Sequence, residues 1–502
     1  SLFYFQKHAK DLTLAEAAIL AGIPKGPTYY SPLVNFERAK NRQHLILDAM
    51  AEEKYITKNM AEKAKKEKLT FKADENEQIQ VIGPYFQDVV KQQLVEKYGL
   101  DEQLVESGGL EIYTSLDPVL QKEAEKWVTQ EMKNFEEDLE VALVALDPRN
   151  GDVLALIGGR DYVKSPYNRA ADAKRAPGST LKPFLYYAAL EHGFTPSSTL
   201  LSEPTTFTYD EGRTKWTPAN FGNLYAHDFI TLLQAIAFSD NIYAVKTHLF
   251  LGTEELVKTA KRFGIHSPLE NVPSLALGTS PVTLLELTKS YAPFANGGSI
   301  IEPRFIRKVV DKNGRVLVEE KPKLKKELDE RYIYIMNDLM SAMFDVTLPG
   351  YTTPTGSSVA HLLNRPMSGK SGSTPADSWM IGYTRQLVAG VWIGYDENKT
   401  LNHAQHGTIA KRIWAIFMES ALKDDLILQY KKPEGVIGVY IDPETGLLAS
   451  EKCPSKRLTY FIEGTEPADY CPLHSDEPIK EDEKEEENEK EKFLDRFFKW
   501  FH

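Results

Sequence analysis

The chain has 502 residues, 42% hydrophobic and 26% charged, ordinary values for a globular protein with a sizeable core but too many residues for one domain. A net charge of −12 excludes a general nucleic-acid binder, which needs a basic face. No run reaches the roughly 18 consecutive apolar residues that crossing a bilayer requires.

Residues 1–75 read as helical. Leu12 to Gly22 is rich in strong helix formers and stops at Gly22 and Pro24, while Ala39 to Glu53 and Lys58 to Lys68 repeat the helical spacing. The chain opens on Ser1 in mid-pattern, with no initiator Met and no signal pattern, so it reads as a fragment of a longer protein. Residues 76–138 follow as a small linker domain: helix, the β-prone Ile112-Tyr113-Thr114, then a helix opened by Asp117-Pro118.

Residues 139–425 form the main domain. Val141 to Asp147 and Asp152 to Ile157 are β-rich and joined by Pro148-Arg149-Asn150-Gly151, a hairpin signal. A helix is predicted from about Ser179, others near Thr231 to Ala237 and Leu284 to Ala295, and strands at Phe305 to Val310, Arg315 to Val318, Trp379 to Thr384 and Leu387 to Tyr395. A helix over Ile409 to Leu422 closes the domain. Strands, then helices, then strands again predict an α+β domain with an antiparallel sheet flanked by helices. Residues 426–474 read as a β-rich extension. Residues 475–502 are a tail in which Asp476 to Lys492 carries ten acidic and four basic residues, a solvated run, ahead of an aromatic-rich end at Phe493 to Phe501 that suits a membrane interface or a packed helix.

Three short motifs carry chemistry. In Pro177-Gly178-Ser179-Thr180-Leu181-Lys182 a serine sits at a predicted helix start, with a lysine three residues on along the same face. A serine hydroxyl becomes nucleophilic when a neighbouring base takes its proton, and a desolvated neutral lysine is such a base. Alone the pattern is weak, since about one or two copies arise by chance in such a chain; Ser420-Ala421-Leu422-Lys423 is a second copy, read as accidental. Ser239-Asp240-Asn241 is the sole Ser-x-Asn, on a loop after a helix, with a hydroxyl to relay protons and an amide to hold substrate. Lys370-Ser371-Gly372 is the sole Lys-Ser/Thr-Gly, followed by Ser373-Thr374, where a strand edge of small residues lets a peptide lie alongside.

The trio in this order is the signature of penicillin-binding proteins and class A β-lactamases. The flanking runs Tyr167-Asn168-Arg169-Ala170, Ala276-Leu277-Gly278-Thr279, Phe294-Ala295-Asn296-Gly297-Gly298 and Trp379 to Thr384 resemble class A penicillin-binding proteins more specifically. Gly109 to Pro118 is similar to that family's linker, and Leu12 to Pro32 to the last segment of its glycosyltransferase domain. The resemblance implies a D,D-transpeptidase of the extracytoplasmic face of the bacterial cytoplasmic membrane, held there by an upstream anchor. Ser179 would be acylated by a stem peptide ending in D-alanyl-D-alanine, or by a β-lactam, and an amine would take the acyl group. It makes Lys182 the base, lets Ser239 and Lys370 move protons, and assigns substrate to Asn241, Ser371, Gly372, Ser373 and Thr374. The backbone N–H groups of Ser179 and Ser373 become the oxyanion hole. No cofactor is implied.

The chain departs from the family in having serine rather than threonine at 371 and 373, in the short connection Pro375 to Ser378, and in lacking the glycosyltransferase's catalytic glutamates. A class A β-lactamase needs a deacylating glutamate, with no counterpart here before Ser239. A D,D-carboxypeptidase and a non-turnover sensor of β-lactams or wall fragments share the trio.

Cys453 and Cys471 are the sole cysteines. A disulfide between them closes a loop of about 19 residues, worth ~3 kcal/mol in the chain-entropy estimate, and implies an oxidising compartment. Free thiols are the alternative. Metal binding, with His474 beside Cys471, finds three ligands where structural zinc takes four, so no metal site is assigned.

Overall fold

The computed structural model describes residues 1–26, 29–71, 82–209 and 213–474; the predicted acidic tail and aromatic end lie outside them. The chain divides into two compact units, Ser1–Val81 and Ile82–His502.

The first unit holds α1 (Leu14–Gly22), α2 (Phe36–Glu52) and α3 (Lys58–Lys66). Thr13 starts α1 through a reciprocal cap: its hydroxyl accepts from the Glu16 N–H at 3.2 Å while its own N–H donates to the Glu16 carboxylate at 2.9 Å. Alanines at 15, 18, 61 and 64 bring the helices close around Leu47.

The second unit begins with α4 (Pro84–Glu96), β1 (Glu111–Thr114) and α5 (Pro118–Met132). Then come β2 (Leu139–Leu146), β3 (Val153–Ile157), α6 (Lys182–Glu191), α7 (Leu232–Phe238) and α8 (Asn241–Leu251). They are followed by β4 (Ile306–Val310), β5 (Val316–Glu319), α9 (Glu330–Ser341), β6 (Ser368–Ser373), β7 (Asp377–Tyr383) and β8 (Val388–Tyr395). Last are α10 (Ile409–Ala421), β9 (Val436–Ile441) and β10 (Arg457–Ile462).

Five strands make the central antiparallel sheet, in the order β6-β7-β8-β2-β3. Its middle is buried on both faces, which explains the unbroken apolar run of β2. Successive side chains point to opposite faces. Ala142, Val144 and Leu146 meet Phe184, Leu233 and Tyr291 in one core. Val141, Leu143 and Ala145 meet Val128 of α5 and Ile413, Trp414 and Phe417 of α10 in the other. The predicted turn between β2 and β3 closes through Gly151, whose N–H donates to Asp147 O at 2.9 Å with φ at +82°.

The stretch read as a linker shares these cores. Phe86 and Leu94 of α4 join the first and α5 joins the second. β1 pairs with β4, and β4 with β5, so a strand near residue 112 is completed some two hundred residues later.

Candidate active site

The turn carrying Ser179 is fixed before the serine is reached. Arg175 exchanges backbone hydrogen bonds with Val282, each at 3.0 Å, and its guanidinium pairs with Asp377 at 2.7 Å. The Trp379 indole N–H donates to Ala176 O at 3.0 Å. Gly178 then turns left-handed (φ +58°) and starts a 3-10 turn, Gly178–Leu181, ahead of α6. The α-helix therefore begins at Lys182, later than the predicted start at Ser179, and Pro183 sits in its first turn, where a missing N–H costs nothing. In a 3-10 turn residues three apart eclipse, so Ser179 and Lys182 still share a face. Ser179 is half-buried; Lys182 is fully buried.

The second wall is the break between α7 and α8. Ser239 ends α7 in the left-handed region at φ 60°, a conformation uncommon for a residue with a side chain and often found at functional sites. Asp240 holds it there. One carboxylate oxygen caps α8 by accepting from Tyr243 N–H at 2.7 Å; the other accepts from Ser202 at 2.5 Å, Asn220 at 2.7 Å and Tyr351 at 2.8 Å. Asp240 is thus a positioning residue. Asn220 also accepts from Asn241 N–H at 2.7 Å, and the Asn241 amide donates to Ala219 O at 2.7 Å.

The two lysines meet at this break. Lys182 Nζ donates to Ser239 O at 2.8 Å, Asp240 O at 3.0 Å, Asn241 Oδ1 at 2.8 Å and Ser239 Oγ at 3.3 Å. Lys370 Nζ, from β6, reaches the same Ser239 Oγ at 2.8 Å and Ser371 O at 3.0 Å. Among the described residues no hydrogen bond joins Lys182 to Ser179 Oγ, the contact expected from the motif; the amine rests on the Ser239–Asn241 loop. Burial pulls Lys182 down to about 7 against the opposing pull of the Asp240 carboxylate. Burial, with the neighbouring Lys182 and Lys411, also drives Lys370 far below a normal lysine. Two ammonium groups on one hydroxyl in a dry site repel, so the pair holds one proton more readily than two.

Strand β6 approaches the Ser179 turn backbone to backbone, and glycines make that possible. A Cβ on Gly372 would lie 2.3 Å from Pro177 O, and one on Gly178 would lie 2.9 Å from Ser373 O and 3.0 Å from Ser373 N. This brings the Ser373 peptide beside Ser179, the neighbourhood an oxyanion hole needs. Ser371 is half-buried and Ser373 exposed along the same edge. The Thr374 hydroxyl donates to Asp377 Oδ2 at 2.8 Å and accepts from Asp377 N–H at 3.0 Å, which fixes the turn into β7.

Residues 141–419, more than half the chain, match the penicillin binding protein transpeptidase domain. Residues 432–476 match the penicillin-binding protein 1A C-terminal domain and residues 1–51 the transglycosylase family. The chain belongs to the class A penicillin-binding proteins. It is 49% identical over 481 residues to penicillin-binding protein 2D of Bacillus subtilis, covering 96% of this chain and 69% of that one. Penicillin-binding protein 1A of Aquifex aeolicus is 32% identical over 555 residues, covering 93% of this chain and 74% of the relative. The crystal structure of penicillin-binding protein 1A from Haemophilus influenzae shares the fold with a TM-score of 0.78 at 24% identity, over 94% of this chain and 88% of that one.

The class A resemblance extends to the first residues, as the Leu12 to Pro32 segment implied. Sequence reasoning missed Asn220, Tyr351 and Lys411. Asn220 and Tyr351 sit in loops with no periodic signal. Lys411 lies on α10, is half-buried, and donates from Nζ to Thr355 O at 2.9 Å. One expected bond is not formed: Cys453 and Cys471 are buried free thiols instead of the candidate disulfide, each sulfur turned to other polar neighbours.

Proposed function

We propose that this chain is a peptidoglycan D,D-transpeptidase working through a Ser179 acyl-enzyme. The observation that carries the proposal is the single Ser239 hydroxyl shared by two fully buried lysines, Lys182 and Lys370, next to the Ser179 turn. Neutral Lys182 takes the Ser179 hydroxyl proton as Oγ bonds to the carbonyl carbon of the penultimate D-alanine. The contact it needs is of the kind that tightens on substrate binding. The oxyanion faces the N–H groups of Ser179 and Ser373. The C–N bond to the terminal D-alanine then breaks, and the departing amine receives the proton from Lys182 through the Ser239 hydroxyl. An acceptor amine attacks the ester, gives up its proton along the same path, and leaves Ser179 as a free hydroxyl. Asn241, Ser371 and Ser373 orient the donor peptide; serine acyl transfer of this kind calls for no cofactor.

A β-lactam presents the same carbonyl and acylates the same serine. The substrate puts the domain at the extracytoplasmic face of the bacterial membrane. The complete protein joins this activity to glycosyltransfer through the domain of which residues 1–51 are part. Among the described residues no helix is long and apolar enough to cross a membrane.

The test incubates the chain with a D-alanyl-D-alanine stem peptide and an excess of amine acceptor and resolves products by mass. A cross-linked dimer with one D-alanine released per link supports transpeptidation. D-alanine release with only the shortened peptide identifies a carboxypeptidase, and a stable acyl-enzyme with no product identifies a sensor.

A further inference from the structure

The two cysteines do not stand alone. Asp442, Cys453, Cys471 and His474 each turn one ligand atom inward, and those four atoms all lie within 4.8 Å of one another. Cys471 Sγ is 3.2 Å from Asp442 Oδ2 and 3.4 Å from His474 Nδ1, and His474 Nδ1 is 3.0 Å from Asp442 Oδ2. A tetrahedral zinc with bonds of about 2.0–2.3 Å spaces its ligand atoms roughly 3.3–3.8 Å apart. We propose that these four residues form a structural site for a zinc-type divalent cation.

The surroundings fit that role. Asp442 Oδ1 accepts from Glu444 N–H at 2.9 Å, which aims Oδ2 at the other three ligands. Cys453 Sγ accepts from Ser450 N–H at 3.3 Å, which fixes the direction of the sulfur. Two thiolates and a carboxylate would repel at this spacing, and a dication offsets them; binding releases the two thiol protons. The two sulfurs, one imidazole and one carboxylate suit zinc rather than calcium or magnesium, which take oxygen.

The fold gives the site a task. β9 and β10 form a two-stranded sheet that packs on the first core through Val436, Ile441 and Phe461, and the chain that connects and follows the two strands runs mostly in turns and loops. The ligands come from the end of β9, the turn before β10 and the segment after it, so one ion ties three pieces of chain. The ion would also brace the turn after Asp442. Its Pro443 O accepts from Thr231, the residue that caps α7, at 3.3 Å, and its Gly446 O from Ser197 at 2.5 Å. At its far end α7 delivers Ser239.

The test is native mass spectrometry and metal analysis of the full chain purified without chelator, with thiol alkylation in parallel. One zinc per chain is expected, with both thiols protected until chelator and denaturant are added. Cobalt(II) exchanged into the site should show thiolate charge-transfer bands and tetrahedral ligand-field bands. Cys471→Ser and His474→Ala should each lose the metal while keeping β-lactam labelling at Ser179. Because such variants can misfold, the cobalt spectrum of the unaltered chain stands as the independent readout. A mass two hydrogens lighter, with no thiol to alkylate before reduction, would mean a disulfide and overturn the proposal. So would two freely alkylated thiols in reduced chain incubated with zinc.

Discussion

The chain contains two Ser-x-x-Lys sequences, and the structure gives them opposite surroundings. Ser179 lies in a 3-10 turn pressed against a strand, and Lys182 behind it has no exposed surface. Ser420 lies near the end of α10 and donates to Glu123 at 2.6 Å, while the Lys423 side chain is 71% exposed beside Asp424. The same spacing therefore yields a buried amine in one place and a solvated charge in the other. What separates them is burial: it brings the first amine to about 7, where it is neutral often enough to take a proton.

The two serines should differ most. Ser179→Ala should abolish covalent labelling by a β-lactam, and Ser420→Ala should leave the labelling rate unchanged; intact-mass time courses read both. Next in size, Lys182→Met should slow acylation by roughly 10²–10⁴-fold, the usual worth of a positioned general base, while Lys423→Met changes nothing. The pH dependence follows from the same lysine. Because the neutral amine is the active form, the acylation rate should fall about tenfold per unit below pH 7 and flatten above it. A rate independent of pH between 5 and 8 would remove Lys182 as the base. Gly372→Ala acts on the opposite wall of the site. Its Cβ would meet Pro177 O at 2.3 Å, so about 1–3 kcal/mol of stability should go in thermal unfolding, with a loss of labelling rate as the Ser373 peptide is pushed away. The smallest effect is again at Ser420. Removing its hydroxyl should cost about 1 kcal/mol in denaturant unfolding, since Glu123 keeps Trp127 and Lys126 as partners.

Much of this was legible in the sequence because periodicity and turn chemistry act locally. The hairpin at Pro148 to Gly151, the strands at 379–384 and 387–395 and the helix from Ile409 all fall within two residues of their predicted bounds. The motifs named Ser179, Lys182, Ser239 and Lys370, and the fold brings Lys182 and Lys370 onto the Ser239 hydroxyl beside the Ser179 turn. Sequence could not show what the fold alone creates. Lys182 points at the Ser239–Asn241 loop because α6 packs beside α8, and Asn220 matters because a loop some twenty residues upstream folds under Asp240. Asp442 was invisible for the same reason. A carboxylate after a strand resembles any turn residue until the hairpin folds it against Cys453, Cys471 and His474.

The most direct test of the central claim is peptide mapping of the chain after incubation with a penicillin. One long-lived adduct is expected on the peptide that carries Ser179, lost in Ser179→Ala and kept in Ser420→Ala. An adduct elsewhere, or no adduct from chain shown by circular dichroism to be folded, would contradict it.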